Sequence, residues 1–117
     1  MRLEIKSIDT NPSLEDIARL HISDIAVLVT ILVGFEGEEG GDYFDFSVYS
    51  MAFLDKHIHL PQYLDKAIVV KSFCLEELIV CINKIVGGCN DVSDIKSLEK
   101  LAKYFRWEFD GYAPYEE

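Results

Sequence analysis

A chain of 117 residues, half hydrophobic and 27% charged, is long enough to pack a core without disulfide or metal staples and too apolar to be disordered. Its formal net charge of −10 argues against nucleic acid or an anionic membrane as direct partner and fits a basic one. Cys74, Cys81 and Cys89 are an odd number without a CxxC pair, which argues against a disulfide framework and for free thiols in a reducing, cytoplasmic setting.

Arg2 to Asp9 alternates, with Leu3 and Ile5 opposite Glu4 and Lys6, and is predicted to be a first strand. The opening Met-Arg-Leu-Glu-Ile-Lys is strand-like and charged, unlike the apolar core of a signal peptide. Asn11-Pro-Ser13 makes a turn, and Ser13 can cap a short helix through Leu14, Ile17 and Ala18. Ile25 to Val33 follows. It is almost wholly apolar and rich in β-branched residues, with Ile25, Val27, Val29, Ile31 and Val33 on one face and Ala26, Leu28, Thr30 and Leu32 on the other. Two apolar faces predict a central strand buried on both sides, in which Leu28→Asp would bury an unpaired charge. At nine residues the run is far short of the roughly 20 needed to span a bilayer as a helix.

The acidic loop Gly34-Phe-Glu-Gly-Glu-Glu-Gly-Gly-Asp42 leads into a strictly alternating strand. Phe44, Phe46 and Val48 point one way; Tyr43, Asp45, Ser47 and Tyr49 point the other. Ser50 is placed to cap a short helix, Met51 to His57, that presents Phe53 and Leu54, and His59-Leu-Pro61 ends it. Lys66 to Ser72 is the fourth strand. Leu75, Leu78, Ile79, Ile82, Ile85 and Val86 recur at helical spacing up to Gly87-Gly88. A last helix is predicted from about Ser93 to Phe105, with Ile95, Leu98, Leu101, Ala102 and Phe105 as its apolar stripe. Asp91 and Asp94 at its start and Lys100, Lys103 and Arg106 at its end suit the macrodipole. Trp107-Glu-Phe109 is too aromatic for a free tail and should return to the sheet edge or pack across the helices. The expected fold is α+β, a mostly antiparallel sheet of about four strands with helices packed on it, as one domain over residues 1–117. The short helix near Phe53 is the candidate cover for the second face of the central strand.

The chemistry-bearing residues do not assemble a reaction centre. The glycine loop lacks the GKS/T ending of a phosphate cradle, carries Glu36, Glu38, Glu39 and Asp42, and precedes a strand rather than a helix. Carboxylates there suit Ca²⁺ or Mg²⁺ chemically, yet their spacing is not an EF-hand, and such charge runs are usually solvated. His57 and His59 lie far from His21 with no zinc-type spacing. Cys81 sits on a core stripe, and no nucleophile elbow frames a serine. The expectation is therefore no catalysis, no cofactor and no metal. A binding surface fits better. Residues 20 to 55 hold seven acids (Asp24, Glu36, Glu38, Glu39, Asp42, Asp45, Asp55) and no Lys or Arg. Tyr43, Asp45 and Tyr49 share a strand face, and Tyr112 and Tyr115 sit in an acidic tail. Tyrosine among carboxylates suits a protein interface for a basic partner, unless a second layer covers that face. The candidate partner-binding residues are Glu36, Glu38, Glu39, Asp42, Tyr43, Asp45 and Tyr49.

Leu14-Glu-Asp, the apolar strand ending Val33-Gly34, and Glu38-Glu-Gly-Gly-Asp-Tyr-Phe-Asp-Phe-Ser-Val resemble the immunity protein 8 family of bacterial polymorphic toxin systems. Met51-Ala-Phe-Leu54 and the closing Tyr104-Phe-Arg-Trp-Glu-Phe109 continue the likeness in order, over nearly the whole chain. The chain departs from the family pattern at Ser50-Met51 and Phe53-Leu54, where a Thr-Pro and a Trp-Leu are expected. The resemblance implies a small, non-catalytic cytoplasmic protein that binds and neutralises a cognate secreted toxin domain. It carries over no set of toxin-contacting residues. Many such toxins act on nucleic acids through basic clefts, which an acidic inhibitor can occupy in place of phosphates. The alternative from another class is an acidic regulatory or protein-interaction domain without a toxin partner, and a third is a carboxylate-based metal-dependent enzyme.

Overall fold

Two long strands joined by the glycine loop form the centre of the computed structural model, which describes residues 1–20 and 24–109. In chain order the elements are β1 (Leu3–Asn11), α1 (Leu14–Leu20), β2 (Ala26–Phe35), β3 (Asp42–Ser50), α2 (Met51–His57), β4 (Ala67–Val70), α3 (Leu75–Gly88), α4 (Asp94–Leu101) and β5 (Arg106–Trp107). The sheet order is β1-β2-β3-β4, with β5 also on β3. β1/β2, β2/β3 and β3/β5 are antiparallel and β3/β4 is parallel. β4 and β5 divide one edge of β3: β4 pairs with Ser47–Ser50 and β5 with Phe44–Asp45. The architecture is the expected α+β, with five strands instead of four. The fifth is the tryptophan-bearing return to the sheet edge.

One face of the hairpin makes the core. Val27, Val29, Ile31 and Val33 of β2 and Phe44, Phe46 and Val48 of β3 are buried, and they meet Leu78, Ile82 and Val86 of α3, Leu101 of α4 and Phe105. Ile17 of α1 packs against the same cluster. Phe46 stacks on Phe105 at 4.4 Å between ring centres. Apolar side chains at every second position of a strand give a continuous stripe, and helices with apolar residues three or four apart close over it. Three helices therefore lie on one side of the sheet.

The other face is where expectation and structure part. Leu28 is 42% exposed, Ala26 is exposed, and Thr30 and Leu32 are half-buried. Leu28→Asp consequently leaves its charge near water, and the charge-burial argument belongs to Ile31, which is fully buried. Only α2 lies on this side among the described residues. It covers one end, where Phe53 stacks on Tyr49 at 5.4 Å.

Smaller differences have local causes. The β1/β2 register shifts between Ile5 and Ser7, so an extra residue at Lys6 resets the alternation and sends Ile8 to the core side. α3 runs through Gly87 and Gly88 to a cap at Cys89. α4 stops at Leu101, where backbone turns take over, and Ile95 is 54% exposed instead of lying on the buried stripe.

Serines fix several junctions. Ser13 Oγ accepts from the Asp16 N–H at 3.2 Å, and Ser93 caps α4 through the Lys96 N–H. Ser50 is fully buried. Its Oγ accepts from the Phe53 N–H at 3.2 Å, capping α2, and from the Ile25 N–H at 2.9 Å. One hydroxyl thus holds the start of β2, the end of β3 and the start of α2.

Candidate functional site

Paired strand residues share a face, so the register assembles the uncovered side of the sheet row by row. Asn11 of β1, Leu28 of β2, Ser47 of β3 and Ala67 of β4 form one row. Asp9, Thr30, Asp45 and Arg106 form the next, and Ser7, Leu32 and Tyr43 the third. At the opposite end Ala26, Tyr49 and Val69 make the row that α2 overlies. Tyr43 is 49% and Val69 50% exposed. This is an open surface of aliphatic and aromatic side chains and hydroxyls, crossed in its middle row by Asp9 and the Asp45–Arg106 pair.

The sequence-derived candidates separate into three places. Tyr43, Asp45 and Tyr49 share this face as expected, but six residues of strand put Tyr43 and Tyr49 about 20 Å apart. Tyr43 projects freely, while the Tyr49 ring lies under Phe53, whose other neighbour is His57 at 4.4 Å. Asp42 pairs with Val33, so it lies on the core side, and its carboxylate accepts from Trp107 Nε1 at 3.1 Å. Glu36, Glu38 and Glu39 are exposed on the loop beyond the sheet end. A shallow hollow of about 250 Å³ beneath that loop is shared by Glu38, Glu39 and Leu98 of α4, so the loop leans toward the helix layer. The folded-back course needs glycine. A Cβ at Gly34 would collide with the Gly40 carbonyl oxygen, and one at Gly41 with that of Val33.

The fold also supplies the bases missing from the acidic stretch. Arg106 pairs with Asp45, Lys56 with Asp24 at 3.1 Å, and Arg2 approaches Glu36 at 3.9 Å. Glu38, Glu39 and Asp55 have no ion-pair partner among the described residues. β5 is a clamp on β3: besides the Asp45 and Asp42 contacts, Glu108 accepts from the Tyr43 N–H at 2.6 Å and its own N–H donates to the Tyr43 carbonyl.

Titration is perturbed away from this face. The Lys56 ammonium, hydrogen-bonded to Asp24, holds that carboxyl below the usual range, and Lys100 does the same to Asp91 at 2.8 Å. Burial pushes the Cys89 thiol up, away from the nucleophilic thiolate. Among the described residues no three His, Cys, Asp or Glu side chains are grouped to hold a metal, and no helix is long and apolar enough to cross a membrane. His21, Tyr112 and Tyr115 fall outside the described residues. The sequence reading passed over Leu28, Leu32 and Val69 as surface residues, because apolarity alone does not distinguish a covered strand face from an open one.

Comparison with known proteins bears on what such a surface is for. The family described as Immunity protein 8 matches residues 3–112 of the 117-residue chain. No curated protein and no solved structure matches. The chain belongs to the Immunity protein 8 family.

Proposed function

We propose that this Immunity protein 8 family member binds and neutralises a cognate secreted toxin domain, and that its acidic surface captures a basic toxin of the nuclease type. The family match over residues 3–112 carries the reading. The charge supports the finer part. An inhibitor must bind before damage is done, and a one-signed surface raises association with an oppositely charged target by about 10–10³-fold. The net charge of −10 provides that long-range attraction, and the exposed Glu36, Glu38 and Glu39 concentrate it at one end of the sheet. A basic cleft shaped for phosphates would accept those carboxylates.

Stopped-flow mixing with the toxin domain encoded beside this gene tests the reading. Association should slow as salt is added, since the Debye length is about 8 Å at physiological ionic strength. Glu36→Lys with Glu38→Lys and Glu39→Lys should slow it further at low salt and leave the fold intact, because exposed loop charges contribute little to stability. Capture by the triple variant at the wild-type rate in low salt would remove the loop from the mechanism.

A further inference from the structure

The geometry points to the open sheet face, centred on Leu28, Leu32 and Tyr43, as the seat of an apolar anchor of the toxin, with basic toxin side chains around that anchor meeting the carboxylates at its margin. The inference rests on the immunity reading and adds the surface and the chemistry of its partner. Leu28 lies in the first row of this face and Leu32 and Tyr43 in the third, with Thr30 and the Asp45–Arg106 pair in the row between, and Leu28 and Tyr43 keep nearly half their surface in water. The charged pairs on this face, Arg106 with Asp45 and, beyond the Leu32 row, Lys6 with Glu4, are each already neutralised. Asp9, exposed on β1 one strand away from Thr30, bears no basic partner among the described residues, and neither do Glu38 and Glu39 beyond the sheet end. An apolar centre with a charged margin is the anatomy of a protein interface.

Charge selects among occupants. A second copy would bring another −10 against the same acidic margin, so self-pairing is opposed. The last eight residues carry Asp110, Glu116 and Glu117 without a base and meet the same repulsion. A partner with Lys or Arg around an apolar tip is attracted on both counts. Area sets the extent of contact. The three rows that α2 leaves open span about 13 Å by about 15 Å, roughly 200 Å², against about 800 Å² per side in a stable complex. The footprint therefore has to extend over a neighbouring element. The connection after α2 offers one, with Leu60 and Tyr63 strongly exposed; the acidic loop offers another.

The test is equilibrium binding of the full chain to the toxin domain encoded beside its gene. Leu28→Glu and Tyr43→Ala should each weaken binding about thirtyfold or more, as truncation of a desolvated anchor does. Val80→Glu, on the outward side of α3, should change it less than threefold, and all variants should keep the wild-type urea midpoint within error. Wild-type binding with both face variants within threefold of it would overturn the surface and leave the immunity reading standing. A wild-type chain that does not bind this domain at all would overturn the immunity reading, and the surface with it. Two further results would also overturn the assignment. One is a wild-type dimer in sedimentation that Leu28→Glu dissociates. The other is a Leu28→Glu stability loss that vanishes in a chain ending at Phe109.

Discussion

Replacing Ser50 by Ala removes one oxygen that accepts from two backbone N–H groups, those of Ile25 at 2.9 Å and Phe53 at 3.2 Å. Losing the α2 cap costs about 1 kcal/mol, within a range of roughly 0.5–2. The Ile25 N–H is worse placed. Its bond to Ser50 is buried, and an orphaned buried donor costs about 1–3 kcal/mol in desolvation. Together Ser50→Ala should lose roughly 2–4 kcal/mol from a total of about 5–15. Ser93→Ala is the internal control, because its bond to the Lys96 N–H is exposed and water replaces the hydroxyl; about 1 kcal/mol is expected. Urea unfolding measures both. With a slope of about 1–3 kcal/mol per molar, the Ser50→Ala midpoint should fall by at least about 0.7 M at an unchanged slope. If Ser50→Ala costs no more than Ser93→Ala, the two-donor junction has no energetic content and the reasoning fails.

Three other outcomes follow from the packing and charges. Ile31→Asp, at a fully buried position, should cost several kcal/mol and unfold the domain, while Leu28→Asp should melt within a few degrees of wild type; equal melting temperatures would refute the two-faced description of β2. Trp107 is half-buried, stacked on Phe44 at 6.0 Å and bonded to Asp42, so Trp107→Ala should cost about 2 kcal/mol, below the roughly 3–5 of a fully buried tryptophan. Native fluorescence should be blue-shifted and partly quenchable, and fully quenchable red-shifted emission would contradict the β5 clamp. Because Lys100 lowers the Asp91 pKa in the folded state, this pair stabilises fully above the unfolded value of about 4 and is lost as pH falls through the lower folded value. Asp91→Asn should therefore be less stable than wild type at pH 7, with the gap closing below about pH 4; a gap independent of pH would sink the linkage.

Local signals in the sequence were strong enough to locate the hairpin, the Ser13 and Ser50 caps and the β4 segment, because each depends on alternation or on a side chain a few residues from its partner. Aromatic density showed that Trp107 is not in a free tail, and left its return to the sheet as one of two placements. Long-range placement was not. The stretch from residue 20 to 55 reads as acids without bases, yet Arg106 reaches Asp45 across 61 positions and Lys56 reaches Asp24 across 32. The bulge at Lys6 is invisible to a strict period of two. Ile95 fits a helical stripe by spacing, yet α4 is only eight residues long and turns Leu98 and Leu101 inward instead. The open face was the main loss. Leu28 and Leu32 look like core in sequence, and only the position of the helices shows that three of them went to the other side.

Growth on co-expression is the most direct test of the central claim. A candidate toxin domain taken from the genes flanking this one is induced in a sensitive host, alone and together with the full chain. The account predicts arrest with the toxin alone, full rescue with the wild-type chain, and loss of rescue with Leu28→Glu at equal soluble abundance. Continued arrest in the presence of abundant, folded wild-type chain would contradict it.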